Sequence, residues 1–251
     1  MDSALFIRSY WKDLDWLQLC LRSIACHCRG FSETVVALPR SSLAWLPRCP
    51  LPHHVRLVVV PDQRDDYLGQ QATKLQADLH VQADLIVHVD ADCIFTRCTR
   101  PQDLAPGGRP TVLTRPVAEL GRHYPWQAAT AAFLGTPPVL DFMQQPPFVY
   151  PRWLYPLLRE HCLRVHGMPI ERYVNSQPPR GFSEFNALGG YAHRHHAAHF
   201  DFRSAGAAGA PAPHCDWHWS WGGLAPALRR QIEAALSAAE AHAAADAEAA
   251  P

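Results

Sequence analysis

The chain has 251 residues, 48% of them hydrophobic and 18% charged, and its 23 basic side chains balance 23 acidic ones. That is enough apolar material for one sizeable core, while 23 prolines point to a loop-rich surface, so a coiled coil and a disordered chain are both excluded. A net charge of zero also excludes bulk electrostatic capture of nucleic acid or anionic lipid, and an anionic ligand has to be met by a few local groups.

The first apolar stretch, Ala4 to Ile7, is too short for a signal-peptide core, and the longest uncharged stretch, Tyr124 to Leu140, is broken by Pro125, Pro137 and Pro138. The expectation is a cytoplasmic protein without a transmembrane segment, free to touch a membrane only peripherally. Eight cysteines without a CxxC pair read as reduced, mostly buried thiols, and the Cys26, His27, Cys28 triplet lacks a second ligand pair at zinc spacing.

Ala4 to Ser9 reads as a strand. Leu14, Leu17, Leu21 and Ile24 then recur at helical spacing in a helix over Asp13 to Cys26, whose Asp13 and Asp15 read as solvated first-turn acids favoured by the helix dipole. Thr34 to Leu38 and Val55 to Val60 are strands closed by Pro39 and Pro61. Asp65 to Leu79 carries Leu68, Ala72, Leu75 and Leu79 on one helix face, and Leu85 to Val89 is the next strand. This alternation predicts an α/β fold, a single Rossmann-type domain with a mostly parallel sheet flanked by helices, whose ligands collect at the carboxyl ends of the strands. Further on, Thr111 to Thr114 reads as a strand, and Gln127 to Leu134, Trp153 to Val165 and Ser183 to Ala192 as helices, the last capped by Ser183. Ala205 to Pro213 is a Gly/Ala/Pro linker. Leu224 to Ala250 is an Ala-rich helix or frayed tail with disorder expected near its end, so the division is one domain over residues 1–223 and a tail over residues 224–251.

Asp90 and Asp92 follow the buried strand as a D-x-D. Residues i and i+2 of an extended segment project to the same side roughly 6 to 7 Å apart, and two carboxylates held there repel unless something positive sits between them. A hard divalent cation, Mg²⁺ or Mn²⁺, suits that place. The chain has two lysines, Lys12 and Lys74, against 21 arginines. Lysine offers a compact charge that arginine does not copy, which fits a position near phosphate or a buried acid. Gln71 and Lys74, at i and i+3, share a helix face opposite Leu68 and Leu75 and so can point towards the strand ends. Glu184 reads either as a dipole-stabilising first-turn acid or as a general base that deprotonates a hydroxyl. His195 and His199 have i, i+4 spacing but no glutamate follows His195, and with their neighbours they read as surface histidines. Trp217, Trp219 and Trp221, followed by Gly222 and Gly223, form an aromatic wall for a sugar or a base. Trp126 and residues 146–153 are either core packing or, if the site binds a sugar that is joined to an acceptor, walls on the acceptor side, since aromatic faces stack on sugar C–H surfaces.

Four segments carry a family likeness in their order and spacing: IRSYWKD at Ile7 to Asp13, QQATKL at Gln70 to Leu75, VDADCIF at Val89 to Phe95, and GFSEFNALGGY at Gly181 to Tyr191. Over Ala4 to Gly223 the chain resembles the GT-A-type nucleotide-sugar glycosyltransferases, in particular a little-characterised bacterial family of such transferases. The resemblance implies a GT-A-like domain that uses Mn²⁺ or Mg²⁺ to move a sugar from a nucleoside diphosphate sugar, a UDP-sugar foremost. The acceptor would be a hydroxyl on a glycan or glycolipid, as in polysaccharide biosynthesis. It places Arg8, Ser9 and Tyr10 at the base, and Asp90 and Asp92 at the ribose and the metal-bound diphosphate. It also makes Gln71 and Lys74 donor-site residues, Glu184 the base, and His218 or His214 the last metal ligand. Cys93 follows the D-x-D where the family often has other small residues, which leaves the carboxylates untouched. Two rival readings use the same residues: a metal-dependent phosphoester hydrolase built on the aspartates and histidines, and a nucleotide- or glycan-binding module with a decayed site.

Overall fold

β1 (Ser3–Arg8) turns Leu5 and Ile7 to one face and Ala4 and Phe6 to the other, and both sets are buried, as in a strand covered on both sides. The computed structural model describes residues 1–121, 124–207 and 211–248. From β1 the chain runs through α1 (Leu14–His27), β2 (Glu33–Pro39), β3 (Val55–Val60), α2 (Asp66–Lys74), β4 (Leu85–Asp90) and β5 (Cys93–Phe95). Next come α3 (Pro101–Leu104), β6 (Thr111–Pro116), α4 (Gln127–Leu134), β7 (Leu140–Asp141), β8 (Phe148–Pro151), α5 (Leu154–His166) and α6 (Ile170–Asn175). The last elements are α7 (Glu184–His195), β9 (Asp201–Ser204), β10 (Cys215–Trp217) and α8 (Pro226–Glu248).

The main sheet has the order β3-β2-β1-β4-β8, with the first four strands parallel and β8 antiparallel to β4. The chain steps outward from β1 to β3 and then returns to β4 on the other side of β1. The order therefore reverses between β1 and β4, and a crevice opens at their carboxyl ends. Register sets Arg8 beside Asp90 there. α2, α5, α6 and α7 cover one face of the sheet around Phe6 and Ile86, and α1 covers the other around Ile7 and Val36. The α/β class and the single compact domain follow the alternation read from the sequence.

Local chemistry explains where the elements stop. Asp65 caps α2, its Oδ1 accepting the Leu68 N–H at 2.9 Å, and the helix ends at Lys74, with a 3-10 turn over Ala77–Leu79 where one continuous helix was expected. Ser183 caps α7 through the Asn186 N–H at 3.3 Å. Gly189 and Gly190 let α7 lie close against β7 and α4: a Cβ on Gly189 would collide with the Phe142 ring, and one on Gly190 would stand 2.6 Å from Leu134 Cδ1. That close seat fixes the start of α7 over the crevice.

Two readings left open by the sequence are resolved. Residues 148–151 form β8, a buried strand paired with β4, rather than an acceptor wall. Of the two readings of the Ala-rich stretch, the helix is the one found, over Pro226–Glu248, with Ile232 and Leu236 packed on Trp16 and Leu19 of α1. Ion pairs from Arg22 to Glu240 and from Arg229 to Asp15 hold the same contact. The centre of the Ala205–Pro213 linker and the last three residues of the tail lie outside the described residues. Among the described residues no helix is long and apolar enough to cross a membrane.

Candidate active site

Arg8 at the end of β1, Asp90 and Asp92 at the end of β4, Lys74 on α2 and Glu184 at the start of α7 wall one cleft of about 630 Å³. Lys74 is only 1% exposed, yet its Nζ donates to Asp90 Oδ1 at 2.5 Å and to Glu184 Oε1 at 2.8 Å. Gln70, one helical turn earlier, donates its Nε2 to the same Asp90 oxygen at 3.3 Å. Burial alone would pull the lysine's pKa down, but the Asp90 and Glu184 carboxylates outweigh it and hold the ammonium above its ordinary value. Glu184 is 3% exposed, and among the described residues its hydrogen-bond partner is Lys74 at Oε1.

Asp92 is 7% exposed. Its Oδ2 accepts the Ser220 N–H at 2.9 Å, while its Oδ1 is buried without a partner. Burial first, and the Asp90 carboxylate next, push its pKa up to about 7 against the pull of the Ser220 bond. Asp13 is pushed up to about 6, chiefly by burial, opposed by a hydrogen bond with the Ser220 side chain and reinforced by Asp90. Arg8 is 2% exposed with Nε and Nη1 unpartnered, and burial lowers its pKa to about 10 although Asp66 and Asp13 resist. In their charged forms the carboxylates of Asp13, Asp90, Asp92 and Glu184 face the cations of Arg8 and Lys74, four against two, a net charge of −2. Trp126, Trp217, Trp219 and Trp221 form the other side of the cleft. Arg180 Cζ lies 3.6 Å from the centre of the Trp221 ring.

Arg8, Gln71, Lys74, Asp90, Asp92 and Glu184 are thus brought together as the sequence suggests, and Trp126 joins them. Ser9 and Tyr10 are not among the cleft-lining residues: the Ser9 N–H donates to Ala37 O at 3.1 Å, and Tyr10 O accepts the Asp13 N–H at 3.0 Å. Lys12 is exposed, its Nζ 5.2 Å from the Trp11 ring. His214 does not join the aspartates, because both ring nitrogens are engaged elsewhere, Nδ1 with Thr99 Oγ1 at 2.9 Å and Nε2 with Arg97 Nη2 at 3.1 Å. His218 stacks its ring on Trp16 at 5.2 Å and reaches Asp92 only through its backbone N–H, which donates to the Asp92 carbonyl. Neither histidine completes a metal site.

Asp13 is the residue the sequence reading misplaced. It lines the cleft instead of standing in solvent, because the short turn Trp11–Asp13 ahead of α1 carries it to the crevice. Ser220 was missed altogether, since nothing local marks a serine between two tryptophans as the cap of a carboxylate 128 residues away. Gln70 had a signal, its one-turn spacing from Lys74. No protein-family model matches the chain, and no curated protein matches it.

Proposed function

We propose that the chain is a metal-dependent glycosyltransferase of GT-A type that moves a sugar from a nucleoside diphosphate sugar, a UDP-sugar foremost, to a hydroxyl acceptor. The observation that carries this reading is the Asp90 and Asp92 pair at the carboxyl end of β4, in the crevice where strand order reverses, with one Asp92 oxygen buried and unpaired.

Among the described residues no three His, Cys, Asp or Glu side chains converge into a cation cage. Mg²⁺-type ions need none, since they keep water and bind through one or two carboxylates plus substrate phosphates. Asp92 Oδ1 is a free buried acceptor, and a divalent cation cancels the cleft's charge of −2, so the residues fit a cation shared with a diphosphate. Asp92 would hold it, with Asp90 assisting through Oδ2 because its Oδ1 is committed to Lys74 and Gln70. When bound, the cation would neutralise charge on the departing diphosphate.

The remaining work falls to the chain's own groups. Arg8, with two unpartnered nitrogens, bonds phosphate oxygens. Glu184 takes the acceptor's proton as the hydroxyl oxygen bonds to the anomeric carbon, and the bond from that carbon to the diphosphate breaks with its electron pair leaving on the diphosphate. Lys74 holds Glu184 Oε1 and leaves Oε2 for that proton. His195, one of the histidines the hydrolase reading draws on, stands at the far end of α7, eleven residues from Glu184 and so about 16 Å along the helix axis.

Incubating the protein with UDP-, GDP- and dTDP-sugars and Mn²⁺ tests the proposal. Slow release of the nucleoside diphosphate from one donor, abolished by EDTA, is expected. Hydrolysis of simple phosphoesters with every nucleotide sugar untouched would support the hydrolase instead, and nucleotide-sugar binding without any turnover the decayed module.

A further inference from the structure

A second, open groove leads away from the cleft past β10, and the two share Trp126, Met143, Trp217 and Trp219. A molecule lying in it would have one end at the tryptophans that also face Glu184. The aromatic surface is held in place. Trp217 and Trp219 stack at 4.8 Å with 24° between their rings, and Phe148 meets Trp217 edge-on at 6.2 Å. Tyr124 and Trp126 meet edge to face at 5.3 Å, and Trp126 Nε1 is tied to Arg180 O at 3.0 Å.

The polar groups of this groove are of a particular kind. Gln144 contributes an amide and Asp216 an exposed carboxylate, and among the described lining residues there is no Lys, Arg or His. Flat aromatic faces accept the C–H face of a pyranose ring, and amides and carboxylates bond hydroxyls. A phosphorylated or acidic chain would meet the Asp216 carboxylate, and no Lys, Arg or His among the described lining residues offsets the repulsion. A purely apolar chain would strip water from the exposed Asp216 carboxylate without pairing it, which burial penalises.

We infer that this groove is the acceptor subsite and that it takes a neutral saccharide. Its role as an acceptor site rests on the transferase reading, whereas its affinity for sugar does not. The test is saturation-transfer NMR on the full chain with lactose, cellobiose, mannobiose and N,N′-diacetylchitobiose, and with sialyllactose as the anionic counterpart of lactose. UDP and Mn²⁺ binding is titrated in the same samples. Transfer to the ring protons of at least one neutral disaccharide is expected, at least fivefold stronger than to sialyllactose. Asp216→Ala should weaken it at least fivefold at an unchanged melting temperature, and Trp219→Ala should abolish it. Silence from all four neutral disaccharides, a signal that survives both substitutions, or a preference for sialyllactose would overturn the inference. Nucleotide binding without saccharide binding overturns the groove assignment and leaves the transferase reading standing. Saccharide binding without nucleotide binding or turnover keeps the groove as a sugar site and removes the transferase.

Discussion

On the sheet side of the cleft, Arg8, Lys74, Asp92 and Glu184 are almost wholly buried on strand ends and helix turns, whereas across from them Trp219 and Trp221 sit on turns and are 56% and 58% exposed. The difference follows from what each kind of group requires. A charge taken out of water costs least when its partner is held within hydrogen-bond reach, and Lys74, Asp90 and Glu184 are paired in this way across α2, β4 and α7, whereas Arg8 and Asp92 keep buried polar atoms without a partner among the described residues. Stacking faces tolerate displacement, and loops suffice to carry them. Substitutions on the two sides should therefore differ in size and in pH dependence.

The largest effect belongs to Lys74. Lys74→Met leaves Asp90 and Glu184 buried without their shared ammonium and should cost about 3 to 5 kcal/mol in chemical denaturation. Adding Asp90→Asn and Glu184→Gln to it should recover most of that stability without restoring nucleotide binding. A Lys74→Met protein as stable as wild type would show that the buried triad is not what fixes this side. Next comes Glu184→Gln, which should lower turnover by at least ~10² while leaving nucleotide affinity unchanged. Loss of nucleotide binding in step with turnover would move Glu184 to the donor site.

Asp92→Asn separates the two sides by pH. Asp92's folded pKa of about 7 lies above its ordinary 3.8, so between those values the native state holds a proton that the unfolded chain has released. Stability contributed at this site is then present at low pH and lost as pH rises through that window. Without metal, Asp92→Asn should be more stable than wild type at pH 8, by up to about 4 kcal/mol, with the gain gone near pH 4. An equal shift at both pH values would contradict this. The smallest effect is expected across the cleft, where Trp221→Ala removes the exposed contact with Arg180. It should cost about 0.5 to 1 kcal/mol with no change in pH profile, read from melting curves at pH 5 and 8.

The same contrast explains what could be read in the sequence. The βα repeats, the crevice and the D-x-D were legible because strand and helix periods are local signals. Arg8 and Glu184 were singled out by the family likeness, and Gln71 and Lys74 by their shared helix face and the scarcity of lysine. What escaped was non-local: the pairing of Lys74 with Glu184 spans 110 residues, and the turn of Asp13 into the cleft depends on a chain entry that periodicity does not describe. Asp13 and Asp15 looked alike, and only Asp13 enters the site; Asp15 pairs instead with Arg229 of α8. His214 looked free because nothing in its neighbourhood reveals that Thr99 and Arg97, more than 110 residues earlier, take both nitrogens. β8 was hidden by flanking prolines, and α8 was left between helix and frayed tail because its Leu228, Ile232 and Leu236 stripe is only three residues long.

The central claim is that Asp92 and a divalent cation together hold a nucleoside diphosphate. Thermal melting of the wild type and of Asp92→Asn at pH 8 with UDP, GDP or dTDP, in Mn²⁺ and in EDTA, tests it most directly. One nucleotide should stabilise the wild type in Mn²⁺ by about 2.7 kcal/mol at a hundredfold excess over Kd, with little stabilisation in EDTA and none of the metal dependence in Asp92→Asn. Equal stabilisation with and without metal, or a metal dependence that survives Asp92→Asn, would contradict it.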